Sequence, residues 1–397
     1  MEKDFDIIIY GATGFTGQLC VKYLSENATD IKWGIAGRNK KKLQKVLSDL
    51  SIDVSIFIAD SDDQEALDQI TNKTKVILTT AGPFHRYGSK LVKSCVKNSS
   101  HYVDITGESF WIREMIDKHH DEASSKGVRI IPACGYDSLP SDLGSYFVRK
   151  KVKGPIKRIE SFHAGQGGVS GGTTETGFSM GDLNLDKKMN DPFVLNPAES
   201  ISKEQRAKSS DMIGIKYNKT IKAWTGPFIM AIMNTRVVRR SATLLDERQE
   251  GYGLNFTYQE HAFYKKLSTT FLVSFMTLLF GFIIKTPLRK IVRPLLPKPG
   301  EGPSEETMNN GFFDSLFSAQ LEDGSVETYR VHGKGDPGYR VTSKFVCESA
   351  LTLIKESDSL PGGKDYGGIL TPSTGLGDPL IKRLSDNGII FEGPLVD

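Results

Sequence analysis

Residues 5–17 read FDIIIYGATGFTG, and this stretch decides how the rest of the chain is read. Ile7, Ile8 and Ile9 form an apolar run that ends at Gly11, Gly14 and Gly17. The run has the pattern of a buried parallel strand, the glycines that of a tight turn, and Gln18 to Leu24 continues as an amphipathic helix. At such a junction free N–H groups and the helix dipole favour an anion, and glycines let the backbone approach it. A glycine fingerprint alone is weak, but here the strand before it and the helix after it supply the demanded context. The reading is a dinucleotide site on Gly11, Thr13, Gly14, Phe15, Thr16 and Gly17. The rival reading is a turn whose small residues serve packing only.

The second strand, Ile31 to Arg38, sets the cofactor. An NAD site would place an acid about 20 residues after the glycines to accept the ribose hydroxyls. Here the strand ends in Gly37-Arg38 with Lys40, Lys41 and Lys42 behind it. A guanidinium pairs with a 2′-phosphate and a carboxylate repels it, so NADP(H) is expected over NAD(H). The plainer reading of these cations is a solvated helix start, which the helix dipole disfavours.

Strands and helices then alternate. Strands are expected at Val54 to Ala59, Val76 to Thr80, Tyr102 to Ile105 and Val128 to Pro132, with helices at Gly88 to Lys97 and Phe110 to Lys126. This predicts an α/β fold, an N-terminal Rossmann domain with a doubly wound parallel sheet. Ligands bind such sheets at the carboxyl ends of the strands. Residues 11–17, 37–38, 60, 81–84, 106–108 and 133–138 should therefore line one crevice. Asp60 is the expected adenine-side contact, and Ala81, Gly82 and Pro83 close the fourth strand.

At 397 residues the chain exceeds one comfortable core. The expected division is 1–150 for the cofactor, 151–340 for a second α+β domain that binds substrate or makes a dimer, and 341–397 packing back on the first. A formal net charge of +3 gives no case for nucleic acid. The four cysteines, Cys20, Cys95, Cys134 and Cys347, lack metal or disulfide spacing, and a reduced, intracellular protein is expected. No metal site is expected. The opening MEKDFD resembles neither a secretory signal nor a transit peptide.

From Lys157 the pattern changes. Arg158 to Ala164, Thr220 to Trp224, Gly253 to Glu260, Asp314 to Glu322 and Ser325 to His332 look like strands of a mostly antiparallel sheet. Gly165 to Thr174 is a glycine-rich loop that either wraps a ligand or bends a sheet edge. Tyr339 to Ile354 and Pro379 to Ser385 look helical, and Ile389 to Phe391 is a last short strand.

Residues 267–284 carry no charge, and Lys265, Lys266, Lys285, Arg289 and Lys290 flank them. Thr270, Ser274, Thr277 and Gly281 make a small-residue stripe on an otherwise large apolar helix. Three readings stand: a buried or dimer-interface helix, a membrane-associated helix, and a wall of a lipid pocket. Similar charge on both flanks favours attachment to one face of a membrane over spanning it. A second apolar stretch, 227–233, leads into Arg236, Arg239 and Arg240 and is expected to add to surface attachment.

Several pieces together resemble the saccharopine dehydrogenase-like oxidoreductases, a group that includes the trans-acting enoyl reductases. They are YGATGFTG (10–17), AGR (36–38), TTAGPFHRYG (79–88), YVDITGE (102–108), CGYDSLPSDLG (134–144), VSGGT (169–173), RVVRRS (236–241) and TGLGDPL (374–380). The resemblance implies a Rossmann NAD(P) domain, a saccharopine-reductase-like second domain, reduction of a lipid-linked carbon–carbon double bond in some members, and association with membranes or lipid droplets in others. Saccharopine reductases proper bind a glutamate-like amino acid through basic side chains in the second domain. No matching set is legible here, and the apolar 267–284 segment favours a greasier substrate.

Hydride chemistry leaves the protein to position the reactants and supply a proton. Tyr136 and Asp137, after the sixth strand, are the catalytic candidates; the plainer reading packs Tyr136 and uses Asp137 to cap the next helix. Glu108 orders ribose or substrate, or is structural. Cys134 is not expected as a nucleophile. His85 and His101 have no carboxylate partner visible in the sequence and read as surface or capping histidines. The expected function is an NADP-dependent oxidoreductase with a lipid-like or enoyl substrate. The alternatives are a saccharopine-type reductase of amino-acid imines and a membrane- or droplet-bound protein that holds NADP without robust catalysis.

Overall fold

Ile7, Ile8 and Ile9 are wholly buried in the middle of β1 (Phe5–Tyr10), with other strands on both sides. The computed structural model describes residues 3–168, 178–179, 191–212, 214–296 and 301–396. The first six strands are β1, β2 (Trp33–Gly37), β3 (Ser55–Ile58), β4 (Thr74–Thr79), β5 (His101–Asp104) and β6 (Arg129–Ile131). Between them run α1 (Phe15–Asn27), α2 (Lys40–Leu50), α3 (Gln64–Lys73), α4 (Phe84–Tyr87), α5 (Ser89–Lys97) and α6 (Ser109–Ser125). After β6 comes α7 (Leu139–Lys151). The second half supplies β7 (Ile156–Gln166), β8 (Lys216–Asn218), β9 (Ala223–Gly226), β10 (Thr257–Tyr264), β11 (Phe312–Leu321), β12 (Val326–Lys334), β13 (Gly368–Ile369) and β14 (Ile389–Glu392).

The first sheet runs β13-β6-β5-β4-β1-β2-β3, all parallel. Strand order reverses between β1 and β4, which puts a crevice at their carboxyl ends. The second sheet runs β14-β12-β11-β7-β10-β9-β8 and is antiparallel except where β10 pairs with β7. The fold class read from the sequence is the one observed.

Residues after 341 serve both sheets. The helix Thr342–Lys355 is almost wholly buried and packs on α1, β4 and β5. β13 edges the first sheet, and β14 pairs with β12 in the second. Fully buried Arg129 fixes this return by donating to the carbonyls of Gly375 (2.8 Å), Pro361 (2.9 Å) and Gly363 (2.6 Å).

Several local expectations are corrected. Thr220 to Trp224 is not one strand: β8 and β9 form a hairpin, with Lys222 in the turn at φ 51°. The strand expected from Gly253 starts at Thr257 and extends to Tyr264. Residues 169–174 of the glycine-rich loop lie outside the described residues, while Gly165 and Gln166 belong to β7.

The arginines after 227–233 do not face a membrane. They lie on the helix Ala231–Glu247, and Arg236, Arg239 and Arg240 are all buried. Arg239 donates to the carbonyls of Pro192 (2.9 Å) and Tyr258 (2.8 Å), and Arg240 to those of Leu195 (2.7 Å) and Ile369 (2.7 Å). Arg236 pairs with Asp211 at 2.5 Å. Buried guanidiniums persist only with such partners. The sequence shows the charges but not the carbonyls waiting for them.

The apolar segment is the helix Leu267–Lys285, and it is not a core helix of this chain. Only Thr270 and Ser274 are buried, where the helix leans on Gly226 of β9. Phe271, Leu272, Phe275, Met276, Leu278 and Phe282 are each more than half exposed. The helix is long and apolar enough to cross a membrane.

Candidate active site

The glycine turn is built by close contact. Gly11 sits at φ 87°, and a Cβ there would come within 2.9 Å of the Ala81 Cβ, so the first and fourth strand ends touch across the crevice. Gly17 is buried under the turn. Gly14 differs, because a Cβ there would meet only the Gly11 carbonyl oxygen at 3.4 Å. That open side is where a diphosphate would lie. Gly14 is the N-cap of α1 and offers no side-chain acceptor, which leaves the first-turn N–H groups of Phe15, Thr16 and Gly17 for a ligand. Thr13 turns its carbonyl to Gln18 Nε2 at 3.2 Å, and Phe15 packs edge-on against Tyr339 with ring centroids 5.2 Å apart. These residues fit a dinucleotide.

Arg38 is exposed at the end of β2 and makes no ion pair or hydrogen bond among the described residues. Asn39 caps α2 by accepting from the Lys42 N–H at 3.1 Å, so the lysines that follow are not needed to start that helix. A free guanidinium beside the glycine turn suits a 2′-phosphate. Asp60 is exposed at the end of β3, and one carboxylate oxygen accepts from the Asp62 N–H at 3.0 Å, which shapes its own loop. Across the crevice, Ala81 donates its N–H to Thr79 Oγ1 at 3.2 Å, Gly82 is exposed, and Pro83 precedes α4.

Glu108 and His85 require a correction. The wholly buried Glu108 carboxylate accepts from the backbone N–H groups of Phe84 (2.8 Å) and His85 (2.9 Å) and lies 2.6 Å from His85 Nδ1. His85 thus has a carboxylate partner and is no surface histidine, and Glu108 is committed to the loop after β4 rather than to a ribose. The two residues follow neighbouring strand ends, a proximity visible only once β4 and β5 pair. His101 accepts from the Arg129 N–H at 3.0 Å, and burial pulls its pKa down to about 4.

Asp104 organises the crevice floor and was not singled out from the sequence. It accepts from the N–H groups of Thr106 (2.9 Å) and Ala133 (2.9 Å) and from the Tyr102 hydroxyl (2.8 Å). Burial pushes its carboxyl up to about 7 against those hydrogen bonds. The one available signal is an acid closing an apolar strand, in YVD.

Tyr136 and Asp137 arrive where the sequence puts them, after β6 and facing the loop after β5. Both are half-buried. Asp137 does not cap α7; Ser138 holds that position without a side-chain bond. A Cβ on Gly107 would lie 3.7 Å from Asp137 Oδ2, so the acid hangs over the β5 loop, and burial raises its carboxyl to about 6. The Tyr136 ring packs on Phe313 with centroids 5.4 Å apart, and its N–H donates to Thr342 Oγ1 at 3.0 Å. Burial, then the charge of Asp137, raises the Tyr136 hydroxyl pKa, so it stays a donor.

Behind them lies a buried polar chain. Ser138 Oγ contacts Asn234 Oδ1 at 3.1 Å, Asn234 Nδ2 donates to Glu260 at 3.0 Å, and Glu260 accepts from the Tyr258 hydroxyl at 2.7 Å. Burial raises Glu260 to about 7. Its residues come from three separated segments and share no local motif.

Comparison with known proteins adds identity. Residues 7–131 match the family described as "Saccharopine dehydrogenase NADP binding domain", so the first domain is of the NADP-binding kind. The chain is 31% identical to "Trans-acting enoyl reductase" of Mycobacterium tuberculosis, over 98% of both chains. It is 30% identical to the protein of that name in Mycobacterium ulcerans, over 98% of this chain and 97% of the other. Among solved structures, the saccharopine dehydrogenase (L-Glu forming) of Saccharomyces cerevisiae shares the fold, with TM-score 0.56 and 14% identity over 98% of this chain and 99% of the other. With a glycine turn fit for a dinucleotide, a second mixed sheet and full-length likeness to named reductases, this chain belongs to the saccharopine dehydrogenase-like oxidoreductases, the family that holds the trans-acting enoyl reductases.

Proposed function

We propose that this protein is an NADP-dependent reductase of a carbon–carbon double bond in a lipid-like acyl substrate, working at a lipid surface. The observation that carries the reading is one chain joining a dinucleotide crevice to a long exposed apolar helix. In this reading 1–150 holds the cofactor, 151–340 takes the substrate, and 341–397 secures the join.

The dinucleotide would rest on Gly11, Gly14 and the N–H groups of Phe15, Thr16 and Gly17, with its 2′-phosphate on Arg38. When bound, NADPH supplies a hydride to one carbon of the double bond. The protein must then steady the negative charge that gathers on the conjugated oxygen. Tyr136 is suited to this, because its raised pKa keeps the hydroxyl a hydrogen-bond donor. Asp137, raised to about 6, shifts between donor and acceptor close to neutrality and orients the substrate.

The apolar helix serves attachment. Its exposed side chains continue into Leu288, Ile291 and Leu295, which are 45%, 68% and 81% exposed. Each large side chain buried in lipid gains about 1.5–3 kcal/mol. Lys265, Lys266, Lys285 and Lys290 flank the stretch and suit anionic headgroups. An apolar face of this extent on a soluble monomer marks an interaction site.

The test is turnover with NADPH and trans-2-dodecenoyl-CoA, run beside 2-aminoadipate semialdehyde with glutamate. Oxidation of NADPH by the enoyl thioester alone supports the reading. Reaction with the amino-acid pair alone replaces it with a saccharopine-type reductase. No reaction with either, despite tight NADPH binding, leaves a protein that holds the cofactor without this catalysis.

A further inference from the structure

The exposed apolar segment meets the cofactor crevice at three places. Just beyond the helix Leu267–Lys285, the Arg293 guanidinium lies over the buried Phe178 ring, 6.0 Å from its centroid. The hydroxyl of Ser179, the next residue, stands 3.0 Å from His85 Nε2 in the loop after β4. Further along the same segment, Gly302 lies on Phe15 of the glycine turn, so close that a Cβ would come within 2.5 Å of the ring. The third place is reached from the other side of the helix. Thr270 and Ser274 meet Gly226, and the chain runs from there through exposed Ile229 and Ile232 to Asn234. Asn234 Oδ1 is 3.1 Å from the hydroxyl of Ser138, next to Asp137. Phe15, His85 and Ser138 follow β1, β4 and β6, so the apolar surface adjoins three of the strand ends that frame the crevice. We propose that the crevice opens onto the lipid surface and takes substrates that reside in the bilayer.

Partition sets the value of this placement. An acyl chain of ten methylenes is held in lipid over water by a factor on the order of a million. A mouth turned to water would meet only the trace that desorbs, whereas a mouth on the bilayer meets the chain at its membrane concentration. The contacts with Phe15 and with Phe178 keep the apolar segment against the rim, and only glycine at 302 lets the chain lie so close to the Phe15 ring. A fluid lipid surface also suits a face that borders an active site. A second copy of the chain seated there would obstruct the opening through which substrate enters and product leaves.

The proposal deepens the reductase reading and rests on its lipid attachment. It adds the source of the substrate: an enoyl chain carried by a lipid of the membrane, which slides into the crevice without desorbing. Phe15 and Gly302 are positioning residues, since they hold the lipid-facing segment beside the cofactor turn.

The test uses the full chain on vesicles of phosphatidylcholine and phosphatidylserine whose headgroups carry a nitroxide, a short-range quencher. The expected result is loss of more than half the fluorescence of bound NADPH, while a fluorophore on Asp323→Cys keeps its emission. Asp323 is exposed beyond the end of β11 opposite Phe313, on which Tyr136 packs, and the native cysteines are all buried, so the label goes to one place. Bound NADPH that stays bright, or a label at 323 quenched as strongly, overturns the proposal and leaves attachment standing. Protein that does not float with the vesicles overturns attachment and the proposal together, and protein that floats without binding NADPH overturns the cofactor reading and the proposal. Turnover gives a second readout, with the trans-2-dodecenoyl chain offered as its coenzyme A thioester or as a phosphatidylcholine ester in the vesicles. At equal bulk concentration NADPH oxidation should be about 10-fold faster or more with the ester, which stays in the membrane. Faster oxidation with the thioester overturns the bilayer source. No oxidation with either counts against the enoyl reading alone, and the quenching result then decides which way the crevice faces.

Discussion

A Cβ built on Gly17 would stand 2.3 Å from the carbonyl oxygen of Gly11, while one built on Gly14 would clear the same oxygen at 3.4 Å. The first glycine is needed for folding and the second for the ligand. Gly17→Ala should cost about 2–3 kcal/mol of stability, read by urea denaturation. Gly14→Ala should melt near the wild type and lose NADPH affinity by fluorescence titration. A Gly14→Ala protein that binds NADPH normally would remove the diphosphate from this turn.

Arg38 contributes to no ion pair or hydrogen bond among the described residues. Arg38→Ala should therefore leave the melting temperature unchanged and weaken NADPH about 10- to 100-fold, the worth of one charge-assisted contact. NADH affinity should stay the same. Equal losses for both dinucleotides would point to damage of the loop, not to a lost 2′-phosphate contact.

Asp104 gives a pH prediction. Its carboxyl titrates near 7 when folded and near 4 when unfolded, so the folded state holds its proton longer as pH rises. Stability from this group is full below about pH 4 and is lost progressively up to about pH 7. Asp104→Asn mimics the protonated acid and should escape that loss. Its stability relative to the wild type should rise with pH across this window, by up to about 4 kcal/mol. Denaturation curves at pH 5 and pH 8 that shift in parallel for both proteins would contradict it.

The exposed apolar helix separates attachment from folding. Changing Phe271, Phe275 and Phe282 together to Ser should abolish flotation with vesicles of neutral and anionic phospholipid and barely move the melting temperature. Ser274→Leu should do the reverse, because Ser274 Oγ lies 2.4 Å from where a Gly226 Cβ would be. If the triple variant melts early, or if the wild type is a dimer that the triple variant breaks, the helix is an interface between chains.

Strand and helix identity in the first half was legible because each element is dictated locally. Apolar runs in β1 and β4 are buried on both faces, and Asp63 marks the start of α3 by capping it. The cofactor turn was legible for the same reason. What escaped was settled between distant segments. Glu108 meets His85 only through strand pairing, and Arg239 and Arg240 can be buried because the carbonyls of 192, 195, 258 and 369 converge on them. The helix Ala231–Glu247 was missed because those cations masked its apolar face. The apolar helix could be placed from composition, but its exposure depends on which faces the second sheet leaves uncovered.

The helix Thr342–Lys355 and the edge strand Gly368–Ile369 are the last parts of the first sheet to be made. A ribosome delivers the glycine turn long before those elements. Until then the nascent half exposes the apolar surfaces of α1, β4 and β6 that they will cover. Termination before residue 342 should therefore yield a chain that chaperones retain, not a small working cofactor domain.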